Sequence, residues 1–479
     1  MTCPNIARAR RGRGPAAFAA TAAAMAAALL LALAPPAARA ADPKKGAARV
    51  DPTQLPAAQA QALVDRGKVS AFFDPKDLSK APFLSAKAAV LMDAETGEIL
   101  WEKNGTLRCY PASTTKILTG LLLAERTEPD DIITCMDPTV RQIEESSLHI
   151  QPWEKFTSKD LLYGLMLRSA NDGAVVIAQH LGGSVAGFAE MMNARAREAG
   201  ATDTHFTNPN GLHDPDHWTT ARDLALITRE ALRNERFRDA VAQPRRVISR
   251  SKNTQDSVVA SKARKFYRDF PGADGVKTGY TRKAGRCFVG SATRDGRQLI
   301  GVVLNAFDNA SGETMPLLSW GFRRFPTVPV AKKSEPAGSV PVLGGTAPTV
   351  TVLPARDVRA VTDAIRPEQA VTTEVLATPG LAAPVTQGQE VGALLVKVDG
   401  KEQSRVPLLA AENVDAAPLP VIVARKALSP GVWGAGGLAL ILVAFGYGTA
   451  ATKGARRRRN RLTASRRRDD RGGTGPRRR

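Results

Sequence analysis

Cysteine is scarce in this chain of 479 residues. There are four, Cys3, Cys109, Cys135 and Cys287, and none of their spacings resembles a metal knuckle. Histidine is nearly as rare, with five residues. The spacing from His213 to His217 would put two rings on one side of a helix, but Pro215 between them breaks a helix. That stretch reads as a surface loop, and His149 and His180 stand alone as structural or exposed residues. No metal or cofactor is expected. Acidic residues are missing from the two ends. Met1–Ala40 holds five arginines and no acid, and Lys453–Arg479 holds thirteen basic residues against Asp469 and Asp470. Most of the formal charge of +21 therefore sits at the ends, which excludes a nucleic-acid partner for the body of the chain. No internal repeat is present.

The ends read as membrane signals. Arg8–Arg13, the apolar Ala16–Ala34 and Ala38-Arg39-Ala40 have the three parts of a cleavable signal peptide at 1–40. No charge of either sign occurs at Ala427–Thr452, and 26 helical residues reach about 39 Å, enough to span a bilayer. Arg456–Arg459 follow at once, which predicts a cytoplasmic tail at 453–479 and an anchor in the cytoplasmic membrane. The body is then extracytoplasmic. Cys3 leaves with the signal, and three thiols remain, which predicts one free cysteine and one bridge whose pairing stays open.

Residues 41–86 are rich in Pro, Lys and Ala and read as a spacer, with a short helix at Gln54–Asp65. Ala88–Asp93 and Glu98–Glu102 read as strands joined by a turn at Ala94-Glu95-Thr96-Gly97. From Lys159 to Leu232 apolar residues recur at helical spacing, interrupted by the turn signal Asn208-Pro209-Asn210-Gly211. Gly275–Thr281, Gly285–Thr293 and Gln298–Ala306 read as a meander closed by a helix at Asn309–Phe322. Helices inserted between strand groups predict an α+β domain, an antiparallel sheet facing a helical region, over 87–325. Residues 326–348 read as a Pro- and Gly-rich linker, and 349–420 as a small all-β domain serving as a stalk.

The chemistry gathers at Pro111-Ala112-Ser113-Thr114-Thr115-Lys116, at the head of an apolar helix. Positions three apart share a helix face, so Ser113 and Lys116 point the same way. A lysine with a lowered pKa can take the proton that makes a serine nucleophilic. Alone, S-x-x-K is a weak signal. Ser169-Ala170-Asn171 and Lys277-Thr278-Gly279 add an S-x-N and a K-T-G in the order found in serine β-lactamases and penicillin-binding proteins. With Tyr110–Lys116, Leu165–Asp172, Asn208–Leu212 and Gly275–Thr281, residues 87 to 325 resemble the serine-type D-alanyl-D-alanine carboxypeptidases, the low-molecular-mass penicillin-binding proteins with a β-lactamase/transpeptidase-like fold.

That resemblance implies roles. Ser113 would attack a peptide carbonyl and Lys116 would accept its proton, with burial and the nearby Lys277 cation lowering the Lys116 pKa. Ser169 would pass the proton to the leaving amine, and Asn171 would hold Lys116 and the substrate amide. Lys277 and Thr278 would take a terminal carboxylate, Gly279 would let its strand approach closely where a side chain would block the substrate, and the N–H groups of Ser113 and Tyr280 would form the oxyanion hole. The implied substrate is the D-Ala-D-Ala end of a peptidoglycan stem peptide, with β-lactams as acylating inhibitors. Two alternatives compete. A β-lactamase of class A would carry an E-x-x-L-N run, and Glu230-Ala231-Leu232-Arg233-Asn234 has its leucine one position off. A silent wall-binding or sensor homologue would be free to lose Ser113, Lys116 and Lys277. Cys287, beside Phe288 and Val289, reads as a buried inert thiol, and Cys109 lies four residues before Ser113.

Overall fold

The run Ala88-Ala89-Val90-Leu91-Met92 is apolar at both parities, which suits a strand covered on both faces. It forms β1 (Ala88–Asp93), and every residue of it is buried. The computed structural model of the chain describes residues 74, 76–143, 145–251 and 256–418. The expected signal peptide, the helix at 54–65, the span at 427–452 and the basic tail lie outside the described residues. Among the described residues no helix is long and apolar enough to cross a membrane.

β1 turns into β2 (Ile99–Lys103) through a loop held by Asp93. Its Oδ1 accepts from the N–H groups of Glu95 and Thr96 at 3.0 Å, and Gly97 supplies the left-handed φ of +79° that closes the turn. The helical region follows with α1 (Lys116–Arg126), the short pair β3 (Ile132–Thr134) and β4 (Lys155–Thr157), and α2 (Ser158–Tyr163). Next come α3 (Asn171–Gly182), α4 (Val185–Glu198), α5 (Ala221–Arg233) and α6 (Glu235–Ala242). The basic, Ser-rich stretch after α6 makes a small hairpin, β5 (Arg245–Ile248) with β6 (Ser257–Ala260). After α7 (Arg264–Asp269), the meander β7 (Ala273–Thr281), β8 (Gly285–Arg294) and β9 (Arg297–Ala306) returns to the sheet, and α8 (Ala310–Arg324) packs on it.

The main sheet has the order β2-β1-β9-β8-β7, so β7 is an edge strand. Strand parity separates two cores. Val90, Met92, Val302 and Leu304 face the helical region, while Ala89, Leu91, Leu299 and Val303 face α7 and α8. α1 is buried on nearly all sides, as its sequence KILTGLLLAER demands. Gly120 lets it pack closely, since a Cβ there would lie 3.1 Å from Met166 and from Phe237.

Two expectations are corrected. The spacer read at 41–86 is not free at its C-terminal end: Leu84 and Ala86 are buried, and the Ala86 N–H donates to the buried Glu313 carboxylate at 3.1 Å. The linker read at 326–348 is structured. It contains β10 (Thr327–Ala331) and β11 (Gly338–Pro341), which pair with β13 (Val358–Val361) and β12 (Thr349–Pro354) respectively. Its Pro and Gly content suggested a tether, but valines such as Val340 and Val342 fill the core of the second domain. With β14 (Val371–Ala377), β15 (Glu390–Val398) and β16 (Lys401–Ala410), that domain forms a sheet of order β11-β12-β16-β15-β14. Arg324 at the end of α8 pairs with Asp363 at 2.6 Å, and Gln403 donates to Glu98 at 2.8 Å, so polar contacts join the two domains.

Candidate active site

Ser113 lies in a 3-10 turn, Ala112–Thr115, that runs directly into α1. The residue before it, Ala112, has φ +50°, a left-handed conformation that costs an alanine about 1–3 kcal/mol and is typical of functional turns. Lys116 is fully buried. Its Nζ lies 3.0 Å from Ser113 Oγ, 2.7 Å from Asn171 Oδ1 and 2.6 Å from the Asn210 carbonyl. The two carbonyl oxygens can accept but not donate. A neutral amine therefore spends its two hydrogens on them and keeps its lone pair for the Ser113 proton. Burial, then the Lys277 charge, then the Lys262 charge, hold the Lys116 pKa well below that of a free lysine. Geometry and electrostatics both favour a base here.

The Asn210 carbonyl is placed by the Asn208-Pro209-Asn210-Gly211 turn. Asn208 Oδ1 accepts from the Gly211 N–H at 2.7 Å, and Thr119 of α1 donates to the Pro209 carbonyl at 2.6 Å. Gly211 has φ +79°, and a Cβ there would lie 1.9 Å from the Ala112 carbonyl. His217 braces the same turn from behind. Its Nδ1 accepts from the Thr207 N–H at 3.0 Å, so Nε2 carries the hydrogen and faces Thr115 Oγ1 at 2.9 Å. His217 is 2% exposed, and burial pushes its pKa down to about 3. The surface-loop reading therefore holds for the exposed His213 but fails for His217, which is a neutral structural group.

Ser169 follows a π-helical turn, Gly164–Arg168, and has φ +67°, which turns its hydroxyl back toward the sheet. Lys277 Nζ donates to Ser169 Oγ at 2.9 Å and to the Thr278 carbonyl at 3.0 Å. Burial and then Lys262 bring the Lys277 pKa down to about 7. Asn171 begins α3, and the next residue, Asp172, accepts from the N–H groups of Leu148 and Ile150 at 3.0 Å. That carboxylate ties the loop around Glu145 and Ser146 to the cleft.

β7 presents its unpaired edge beside the Ser113 turn. At Gly279 a Cβ would lie 2.9 Å from the Pro111 carbonyl and 3.1 Å from the Ser113 and Thr114 nitrogens. The glycine thus lets the strand approach the nucleophile turn closely. A cleft of about 560 Å³ opens over Ser113, Ser169, Asn171, Thr278, Gly279 and Tyr280, with Lys116 and Lys277 buried beside it. Its mixture of fixed donors and an open strand edge suits an extended peptide with an anionic end.

Lys262 escaped the sequence reading. It lines the cleft, donates to Ser146 and depresses both other lysines. The expected bridge is absent: Cys109, Cys135 and Cys287 are all free and buried. Burial raises the Cys287 thiol to about 12, so it is inert at neutral pH. No cluster among the described residues has the makings of a metal site.

Residues 76–308 match the family described as D-alanyl-D-alanine carboxypeptidase, and residues 325–416 match the C-terminal domain of penicillin-binding protein 5. The chain is 31% identical over 337 residues to the D-alanyl-D-alanine carboxypeptidase DacF of Bacillus subtilis, covering 69% of this chain and 86% of that protein. It is also 31% identical over 358 residues to DacC of Escherichia coli, covering 72% and 88%. Among solved structures, penicillin binding protein 5 from Haemophilus influenzae aligns with a TM-score of 0.56 at 26% identity, over 70% of this chain and 99% of that one. The α+β domain with its S-x-x-K, S-x-N and K-T-G cleft, followed by a β domain, is therefore a penicillin-binding fold, and the chain belongs to the D-alanyl-D-alanine carboxypeptidase family.

Proposed function

We propose that the protein is a serine carboxypeptidase that removes the terminal D-alanine from peptidoglycan stem peptides and is acylated by penicillins. The observation that carries this reading is the buried Lys116 amine, its pKa held well below that of a free lysine, 3.0 Å from Ser113 Oγ and beside an open strand edge. The peptide lies along β7 with its terminal carboxylate at Lys277 and Thr278. Ser113 Oγ attacks the carbonyl carbon of the penultimate D-alanine while its proton passes to Lys116. The N–H groups of Ser113 and Tyr280 stabilise the oxyanion, a contribution of about 10²–10³ in rate for each donor. The proton taken by Lys116 passes through the Ser169 hydroxyl to the amine as the C–N bond breaks, so that D-alanine leaves and Lys116 is again neutral. Asn171 orients Lys116 and the substrate amide. Water activated by Lys116 then cleaves the Ser113 ester and restores the hydroxyl.

The signal-like residues 1–40 and the apolar stretch 427–452 support a location for this chemistry outside the cytoplasmic membrane, with the β domain as a stalk and the basic tail inside. Release of free D-alanine from a D-Ala-D-Ala peptide by the full chain, lost in Ser113→Ala, tests the enzymatic reading. A native chain that binds the peptide without releasing D-alanine would instead be a silent homologue.

A further inference from the structure

Beyond Tyr280 the cleft does not end. It continues past the β7–β8 turn, where Arg282, Arg286, Asp308 and Asn309 line it. Arg282 sits in the turn, and Arg286 on β8 pairs across from Tyr280, its guanidinium 5.4 Å from the exposed Tyr280 ring. Both arginines are exposed. Among the described residues neither has a carboxylate within ion-pair distance, although ion pairs are common elsewhere on this surface. Asp308 contributes one negative charge to that end against two guanidinium groups. The cleft is therefore electropositive away from the catalytic lysines as well as next to them.

Direction along the strand says what meets these arginines. If the terminal carboxylate lies at Lys277 and Thr278 and the scissile carbonyl at Tyr280, the acyl part of the peptide continues toward Arg282. An extended chain advances about 3.3 Å per residue, so the residue preceding the penultimate D-alanine arrives level with Arg282 and Arg286. We propose that Arg282 and Arg286 form a specificity subsite for a carboxylate on the side chain of the third residue from the substrate's C-terminus. Arginine's planar fork suits a carboxylate, and the Tyr280 ring holds the Arg286 guanidinium over the path of the chain. The inference rests on the carboxypeptidase reading for the direction of the substrate.

The test compares two tripeptides on the full chain, N-acetyl-X-D-Ala-D-Ala with X either L-2-aminoadipate or its side-chain amide. The native protein should favour the acid in kcat/KM by about fivefold, the size expected for exposed but arginine-paired carboxylates. Added salt should shrink the ratio. In the Arg282→Ala, Arg286→Ala double variant the ratio should fall to near one, and with both arginines replaced by glutamate it should invert. A ratio near one in the native chain, or one that survives in the double variant, overturns the subsite. If neither peptide releases D-alanine, the carboxypeptidase reading fails separately. Acylation of Ser113 by benzylpenicillin and by its α-carboxy derivative then reads the same arginines: the carboxylated drug should lose relative rate in the double variant, and an unchanged ratio overturns the subsite.

Discussion

Lys116 Nζ stands 3.0 Å from Ser113 Oγ, one helical turn along the chain, with two carbonyl oxygens occupying its other hydrogen-bonding directions. This leaves the deprotonated amine one lone pair and one proton source to aim it at. The arrangement makes the lysine a base by geometry as well as by pKa. Lys116→Ala should slow acylation of Ser113 by benzylpenicillin at least about 100-fold, the usual scale for a lost general base. Lys116→Arg should be no better, because a guanidinium does not give up its proton. Stopped-flow acylation rates decide this, and substantial rescue by arginine would make the role merely structural.

Lys277 has a folded pKa of about 7, set first by burial and then by Lys262. The unfolded value is about 10.4. Between these values the unfolded chain binds more protons, so stability rises with pH from about 7 to about 10.4, and the deficit is fully present below 7. The same cation depresses Lys116, so Lys277→Ala should move the acid limb of kcat/KM to higher pH as well as weaken substrate binding. In Lys277→Met the alkaline rise in melting temperature should flatten. Unaltered pH profiles in both variants would remove Lys277 from the electrostatics of the site.

His217 accepts from Thr207 and faces Thr115 while burial keeps it neutral. Its folded pKa of about 3 lies below the ordinary value of 6.5, so its contribution to stability is lost as pH falls from about 6.5 toward 3. His217→Ala leaves the half-buried Thr207 N–H without its acceptor and opens a void where the buried ring stood, and should cost about 2 kcal/mol in urea unfolding. Acylation should also slow, because the turn carrying the Asn210 carbonyl loses its brace. A stable variant with native acylation would refute the bracing role.

Much of this site was legible because its groups are local: Ser113 and Lys116 are three apart, Ser169 and Asn171 two apart, and Lys277–Gly279 consecutive. What stayed hidden depends on tertiary approach. Lys262 has no motif around it and lines the cleft from the stretch after β6, where it donates to Ser146. His217 looked like half of a failed metal pair, since nothing nearby announces the Thr207 and Thr115 contacts. The β1–β2 hairpin and the β7–β8–β9 meander were readable from their strand and turn signals, but the Pro- and Gly-rich stretch before Thr349 concealed two strands whose valines complete the core of the second domain. Likewise Ala86 is tied into the core by Glu313, more than 200 positions away, and Leu84 packs in the same core.

The proposed anchor at 427–452 has its own test. Protease added to intact protoplasts should remove the domain around Ser113 and spare a tag placed after Arg479. Digestion of the tag from outside would refute the C-terminal anchor.

The fate of the acyl-enzyme tests the central claim most directly. Carboxypeptidase and β-lactamase would both form an ester on Ser113, so labelling alone does not separate them. After D-alanine departs, a linear acyl group leaves room for water that Lys116 can deprotonate. A ring-opened penicillin keeps its leaving group tethered at that position, and the Glu230 run offers no dedicated water-activating glutamate: it lies on α5, where Glu230 pairs with Arg233 at 2.6 Å. The measurement is the lifetime of fluorescent penicillin on Ser113 alongside D-alanine release from a D-Ala-D-Ala peptide. The account predicts peptide turnover, a label lasting minutes or longer, and neither in Ser113→Ala; rapid loss of the label with repeated penicillin turnover and no D-alanine release would contradict it.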